Sequence, residues 1–318
     1  MSRPDYSLSL LPNFPIAKQQ AHTLSTHNKI RTDNYYWMRD DDRQDEQVLA
    51  HLHAENAYCD EQLAAMKPLQ NTLFEELKAR IVKDDNSVPV KDGKYWYHSE
   101  VRGDDEYSRH YRSTSIKADN KELLLDVNVL AEGFEFFELG EVALSPCEQL
   151  MAYSEDTEGR RIYNVRFKSL ATGEMLPDVL ENTEGQVVWA NDNKTVFYVK
   201  KDLKTLLGYQ VFRHELGSEQ SQDVMVYEEQ DSSFFMGLGK SRDESLIIID
   251  LASTETNDTW VLDANKPTGE FKALMPREDG HEFDVDKLGD TFYIVTNWQA
   301  KNFRLMTATN ETIADKTQ

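Results

Sequence analysis

Eight histidines are the residues here best suited to proton transfer or metal binding near neutral pH: His22, His27, His51, His53, His98, His110, His214 and His281. His51 and His53 are two apart on a predicted helix and point to different faces, so they make no ligand pair. His281-Glu282 begins an H-E-x-x-H zinc motif but has no second histidine. No two of the 14 glycines are four residues apart, so no G-x-S-x-G turn can strain a serine into a nucleophile. None are five apart, which removes the P-loop, and Gly237-Leu238-Gly239 meets Arg242 where a dinucleotide fingerprint needs a third glycine. The carboxylate runs Asp84-Asp85, Asp104-Asp105-Glu106 and Glu278-Asp279 read as solvated loops, because an acid–base pair needs two opposed environments. Two cysteines, Cys59 and Cys147, form no C-x-x-C, which excludes a disulfide scaffold and a cysteine-built zinc site and fits a reducing compartment. Asn193-Lys194-Thr195, Asn257-Asp258-Thr259 and Asn310-Glu311-Thr312 match the glycosylation pattern but carry no weight without a secretion signal. The residues alone therefore yield no catalytic, cofactor-binding or metal-binding position.

The elements that would position any chemistry fall into two regions. Residues 1–40, with Pro4, Pro12 and Pro15, read as mostly irregular and end in Tyr35-Tyr36-Trp37-Met38. Val48, Leu52, Cys59, Leu63 and Met66 then form one helical apolar stripe, in which Cys59 reads as core filler. Pro68 suits the first turn of a second helix carrying Leu69, Leu73, Leu77 and Ile81. Beyond Pro89 the period changes to that of strands. Runs beginning at Lys94, Leu150, Thr195, Ser245 and Thr291 lie 56, 45, 50 and 46 residues apart. Each is followed by a second strand, at Tyr111, Tyr163, Tyr209, Thr259 and Phe303, and the first four by a third, at Leu123-Leu124-Leu125, Val179-Leu180, Val224-Met225-Val226 and Ala273-Leu274-Met275. Preceding strands carry Val142-Ala143-Leu144, Val187-Val188-Trp189, Phe234-Phe235-Met236 and Phe283-Asp284-Val285. Four strands per 45–50 residues predict propeller blades, and a β-sandwich requires no such period. The expected fold is mainly β: an incomplete β-propeller of about five blades over residues 84–318, after an extended and helical arm over residues 1–83. The fifth unit lacks a closing strand before Gln318, so the sequence is expected to end inside a blade.

Lys+Arg total 35 and Asp+Glu 57, a net charge of −22. That balance repels nucleic acid and anionic membranes and attracts cations such as basic peptides. No stretch approaches 18 apolar residues, and Leu8-Ser9-Leu10-Leu11 stops at Pro12, too short for a signal-peptide core. A cytoplasmic location is the expectation.

Arg31-Thr32-Asp33-Asn34-Tyr35-Tyr36-Trp37-Met38-Arg39-Asp40 resembles the R-x-D-x-Y-x-W-L/M-R-D box of the prolyl oligopeptidase family, and Ala54-Glu55-Asn56-Ala57-Tyr58 resembles its A-E-N-x-Y segment. Asp126–Gly133, Leu144-Ser145-Pro146, Leu150–Asp156, Val188–Asp192, Phe212–Gly217 and Val226–Glu229 resemble the bacterial oligopeptidase B branch, so that the likeness spans about residues 15–305. The resemblance implies a serine endopeptidase that cuts short peptides after Arg or Lys, with a seven-bladed propeller that admits only small substrates. In that family the helical arm packs on an α/β-hydrolase domain, and the Ser, Asp and His triad lies C-terminal to the propeller. The hydrolase domain is absent from this sequence, so no catalytic residue transfers to any position in it. At Cys147 the family usually has Asp, a change in a turn that is expected to matter little. The chain alone is expected to be inactive, and marginally folded, self-associating or chaperone-bound because of bare apolar faces. A stand-alone propeller binding module, or half of a split peptidase completed by another catalytic chain, are the alternatives.

Overall fold

The computed structural model describes residues 14–117 and 120–316. The run Leu8–Leu11 and the prolines Pro4 and Pro12 lie outside them. The chain divides into two compact units, one ending at Val82 and one beginning at Lys83.

The first unit opens with a hairpin of β1 (His22–Thr26) and β2 (Lys29–Asp33). Its two turn residues, His27 and Asn28, both have positive φ, the twist that suits a two-residue hairpin loop. This corrects the reading of residues 1–40 as irregular. HTLST and KIRTD carry almost no apolar residues, so no alternation marks them as strands. Helix α1 (Glu46–Leu63) starts at Asp45, whose carboxylate accepts the backbone N–H groups of Gln47 at 2.8 Å and Val48 at 3.1 Å. Helix α2 (Lys67–Lys78) carries Pro68 in its first turn. Of the apolar stripe, Val48 is buried while Leu52, Leu63 and Met66 are each at least half exposed. Cys59 is exposed too and is not core filler. Helical periodicity identifies a face but not whether anything covers it.

The second unit is a series of antiparallel meanders. The first comprises β3 (Asp85–Asn86), β4 (Val90–Asp92), β5 (Tyr95–Val101), β6 (Arg109–Ser113) and β7 (Lys121–Asp126), with β3 and β4 both pairing with β5. The short helix α3 (Val127–Leu130) follows. Next come β8 (Glu138–Leu144), β9 (Leu150–Asp156), β10 (Tyr163–Ser169) and β11 (Met175–Trp189). The 15 residues of β11 serve two blades. Their first part pairs with β10, Val165 opposite Leu180. Their last part pairs with β12 (Thr195–Lys201), Val188 opposite Phe197. The ladder breaks between Thr183 and Val187. There Gly185 has φ +100°, and a Cβ on it would stand 2.9 Å from the Tyr163 ring, so only glycine fits. With β13 (Gly208–Glu215) and β14 (Val224–Glu228), the second and third blades become one seven-stranded sheet. The fourth blade is β15 (Phe235–Lys240), β16 (Leu246–Ala252), β17 (Asn257–Asp263) and β18 (Lys272–Ala273). The fifth has three strands, β19 (Phe283–Leu288), β20 (Thr291–Thr296) and β21 (Arg304–Ala308).

The core sits in the seams between these sheets. Phe197, Val199 and Val211 of the third blade pack with Leu238, Ile247 and Ile249 of the fourth. Because each inner blade has a neighbour on both sides, Ile247, Ile248 and Ile249 are all buried, as are Met151 through Asp156. β20 differs: Phe292, Ile294 and Thr296 are buried, whereas Tyr293 and Val295 are each 43% exposed. Leu305 on β21 is also exposed. The fifth blade is covered on one face.

Candidate functional site

The histidines do not converge. His22 stacks on Tyr36 with ring centroids 4.0 Å apart, and His51 lies 3.5 Å from Glu55 one helical turn on. His98 stacks on Tyr111 and contacts Glu100 at 3.1 Å. Burial works to raise the Glu100 carboxyl, but hydrogen bonds from Lys121, Arg102 and His98 hold it down to about 2. His281 meets the Thr296 hydroxyl at 2.9 Å.

His214 is the most elaborately held, and it joins the second and third blades. Its Nδ1 lies 2.7 Å from Asp223 Oδ1 and its Nε2 3.2 Å from Asp178 Oδ1. Asp178 lies on β11 and also accepts the Gly217 N–H at 2.5 Å. Asp223 precedes β14 and takes the Tyr198 hydroxyl at 2.8 Å, while Phe167 stacks on the imidazole. Burial opposes a charged ring, but the two carboxylates outweigh it and raise the His214 pKa above its usual value. A general base needs an unengaged nitrogen and access to substrate. His214 has neither, since its side chain is 1% exposed with both nitrogens occupied. Sequence reasoning could not assemble this cluster, because its members come from four strands and a loop.

Two recesses flank β8. One, of about 440 Å³, runs past Glu141, Val188 and Gly239, and most of its charges are already matched. Glu148 accepts the Lys94 N–H at 2.8 Å, and Lys240 Nζ donates to Asn191 Oδ1 at 2.7 Å. The other, of about 550 Å³, lies among β6, α3 and β8. No group of three or more His, Cys, Asp or Glu could hold a metal ion among the described residues. No helix among them is long and apolar enough to cross a membrane.

Cys147 lies in the turn between β8 and β9, at the position that Asp192 and Asp243 hold in the next two blades. Asp192 Oδ1 accepts the N–H groups of Lys194 and Thr195 at 3.0 and 2.8 Å. Asp243 Oδ1 accepts that of Ser245 at 3.0 Å. The sulfur instead sits 3.3 Å from the Ser145 hydroxyl, which closes the turn by accepting the Leu150 N–H at 3.1 Å.

The repeating sheets, the seam chemistry and the helical unit ahead of them agree with one comparison above all: the prolyl oligopeptidase N-terminal β-propeller domain matches residues 15–318. The chain belongs to the prolyl oligopeptidase family. Its relatives include dipeptidyl aminopeptidase BI of Pseudoxanthomonas mexicana, 42% identical over 95% of this chain and 44% of that protein. Protease 2 of Moraxella lacunata is 28% identical over 92% of this chain and 43% of its own length. Among solved structures, oligopeptidase B from Leishmania major superposes with a TM-score of 0.89 at 32% identity, covering 95% of this chain and 45% of that one. Oligopeptidase B from Trypanosoma brucei with covalently bound antipain gives 0.87 at 31% identity, covering 96% and 46%. The chain thus spans less than half the length of the prolyl oligopeptidase relatives it matches.

Proposed function

We propose that this chain is the propeller portion of a serine peptidase that hydrolyses short peptides after Arg or Lys, with the blades limiting access to small substrates. The family match over residues 15–318, together with the likeness to oligopeptidase B, carries the reading. No Ser–His–Asp constellation forms among the described residues, so the chain by itself is inactive and catalysis comes from residues outside this stretch. The chain's net charge of −22 draws basic peptides toward it by electrostatic steering. The exposed side chains of β20 and β21 make the chain by itself prone to self-association. Its two unpaired cysteines suit a cytoplasmic setting.

The test joins the chain to a prolyl oligopeptidase-family hydrolase domain, as one polypeptide or as two, and assays blocked Arg and Lys amides. Release of the amide by the joined protein and none by the chain alone supports the proposal. Equal turnover after Arg and after uncharged residues refutes the specificity. The 42% identity to a dipeptidyl aminopeptidase favours a second reading, removal of dipeptides from a free N-terminus. Under it, the joined protein cleaves free-amine substrates and spares N-blocked ones.

A further inference from the structure

The recess among β6, α3 and β8 is lined by hydrogen-bond acceptors and apolar walls, with no lysine or arginine. Its polar side-chain groups are the Tyr107 and Ser108 hydroxyls, the His110 imidazole and the Glu138 carboxylate. His110 Nε2 lies 3.1 Å from Ser108 Oγ. Burial pushes the His110 pKa down, so the ring is neutral at ordinary pH. Tyr107 and Phe137 supply an aromatic wall, with ring centroids 6.2 Å apart in an edge-to-face pair, and Val142 extends it. Glu138 is exposed at the start of β8. The neighbouring cation in sequence, Arg109, is already engaged by Asp105 and Asp126. An anion entering the recess meets Glu138, and an uncharged ligand leaves that carboxylate without a counter-charge.

We propose that this recess binds the basic side chain of a peptide, arginine before lysine. A guanidinium has five donors and no acceptor, which suits a carboxylate and the lone pairs of the Tyr107 and Ser108 hydroxyls, while a neutral imidazole adds no opposing charge. Its aliphatic stem and planar head suit an aromatic wall better than a compact, strongly hydrated ammonium does. The proposal deepens the peptidase reading and rests on it only in supposing that basic peptides reach the blades.

The experiment titrates N-acetyl-arginine amide into the full chain by calorimetry near pH 8, with the citrulline and norleucine amides as uncharged matches. The expected result is binding of the arginine compound at least tenfold tighter than either control. Glu138→Gln abolishes the difference; Glu138 is exposed, and an unchanged circular dichroism spectrum shows that the variant folds. Binding weakens as pH falls through the His110 titration, because an imidazolium then faces the guanidinium. The other titratable groups facing the site are Glu138, Tyr107 and, against Glu138 from β10, Tyr163. His110→Gln removes that pH step, because no imidazolium can then form in the recess. Equal binding of arginine and citrulline amides, or unchanged affinity in Glu138→Gln, overturns the proposal. Neither outcome touches the peptidase reading, which is decided by turnover in the joined protein.

Discussion

Replacing His214 with leucine should cost the second unit a large part of its stability. The substitution removes the cation between Asp178 and Asp223 and leaves two buried carboxylates facing an apolar side chain. The Gly217 N–H and the Tyr198 hydroxyl still hold one oxygen each but supply no counter-charge. Breaking a buried ion pair from one side costs about 3–5 kcal/mol. In a domain of this size, where 1 kcal/mol moves the midpoint by about 2–4 °C, that corresponds to a fall in Tm of roughly 6–20 °C. Calorimetry and urea titration of the two proteins near pH 6, where the imidazole is protonated, measure it. Adding Asp178→Asn and Asp223→Asn to His214→Leu should recover much of the loss, because the buried charges then disappear together. The same cluster sets a pH dependence. The two carboxylates raise the folded pKa of His214, so its contribution is complete below the ordinary histidine value near 6.5 and is lost as pH rises through the folded value. Wild-type stability should therefore fall on the alkaline side of about pH 6.5, and the His214→Leu protein should lack that fall. His110 and His281 shift the other way, mainly through burial, and act on the acid side, where protonation destabilises the fold. A Tm change below about 2 °C, less than even 1 kcal/mol gives, would refute the ionic clasp. So would wild-type stability that climbs with pH across the alkaline window.

Cys147→Asp should stabilise the chain by about 0.5–1.5 kcal/mol in urea unfolding, because it restores the acceptor that Asp192 and Asp243 supply in neighbouring blades. A loss of stability on that substitution would show that the sulfur packs in a way the carboxylate cannot. Gly185→Ala should lower Tm by several degrees, since a Cβ there meets the Tyr163 ring at a φ unsuited to alanine; an unchanged Tm counts against that account. Tyr293→Ser with Leu305→Ser should shift the chain toward monomer in sedimentation velocity, and an unaltered distribution would place the sticky surface elsewhere. In the joined peptidase, kcat/KM for Arg peptides should drop steeply with added salt, and a flat response would remove electrostatic steering.

The blades were legible in the sequence because a strand packed on both faces must be apolar along its length, as Ile247-Ile248-Ile249 and Val196-Phe197-Tyr198-Val199 are. Such runs stand out from their turns and make the 45–50 residue period visible. The β1–β2 hairpin was not legible, since its residues are polar on both faces. Cys59 shows a related limit: an apolar position on a helix states a preference for cover, yet among the described residues nothing covers Cys59. Val179-Leu180 and Val187-Val188-Trp189 read as two strands, and nothing in their spacing says that one strand runs through both. The His214 clasp and the acceptor-lined recess escaped because each collects side chains from separate strands. Their partners are set by pairing and twist, not by proximity along the chain.

The shared strand β11 has a mechanical consequence. Elsewhere in the second unit, one blade meets the next through side chains and isolated main-chain hydrogen bonds, such as Asn191 N–H to the Ala264 carbonyl at 2.9 Å and Asp243 N–H to that of Lys287 at 3.3 Å, and no strand ladder is shared. Between the second and third blades the main chain itself crosses the seam, so these two sheets form one stiff plate. Any widening between blades must concentrate at the remaining seams, and the compliance of this run of blades is therefore uneven along its length. Amide exchange, which reports the cheapest local openings, should follow that asymmetry, slow across β10 to β12 and faster at the edges facing the first and fifth blades.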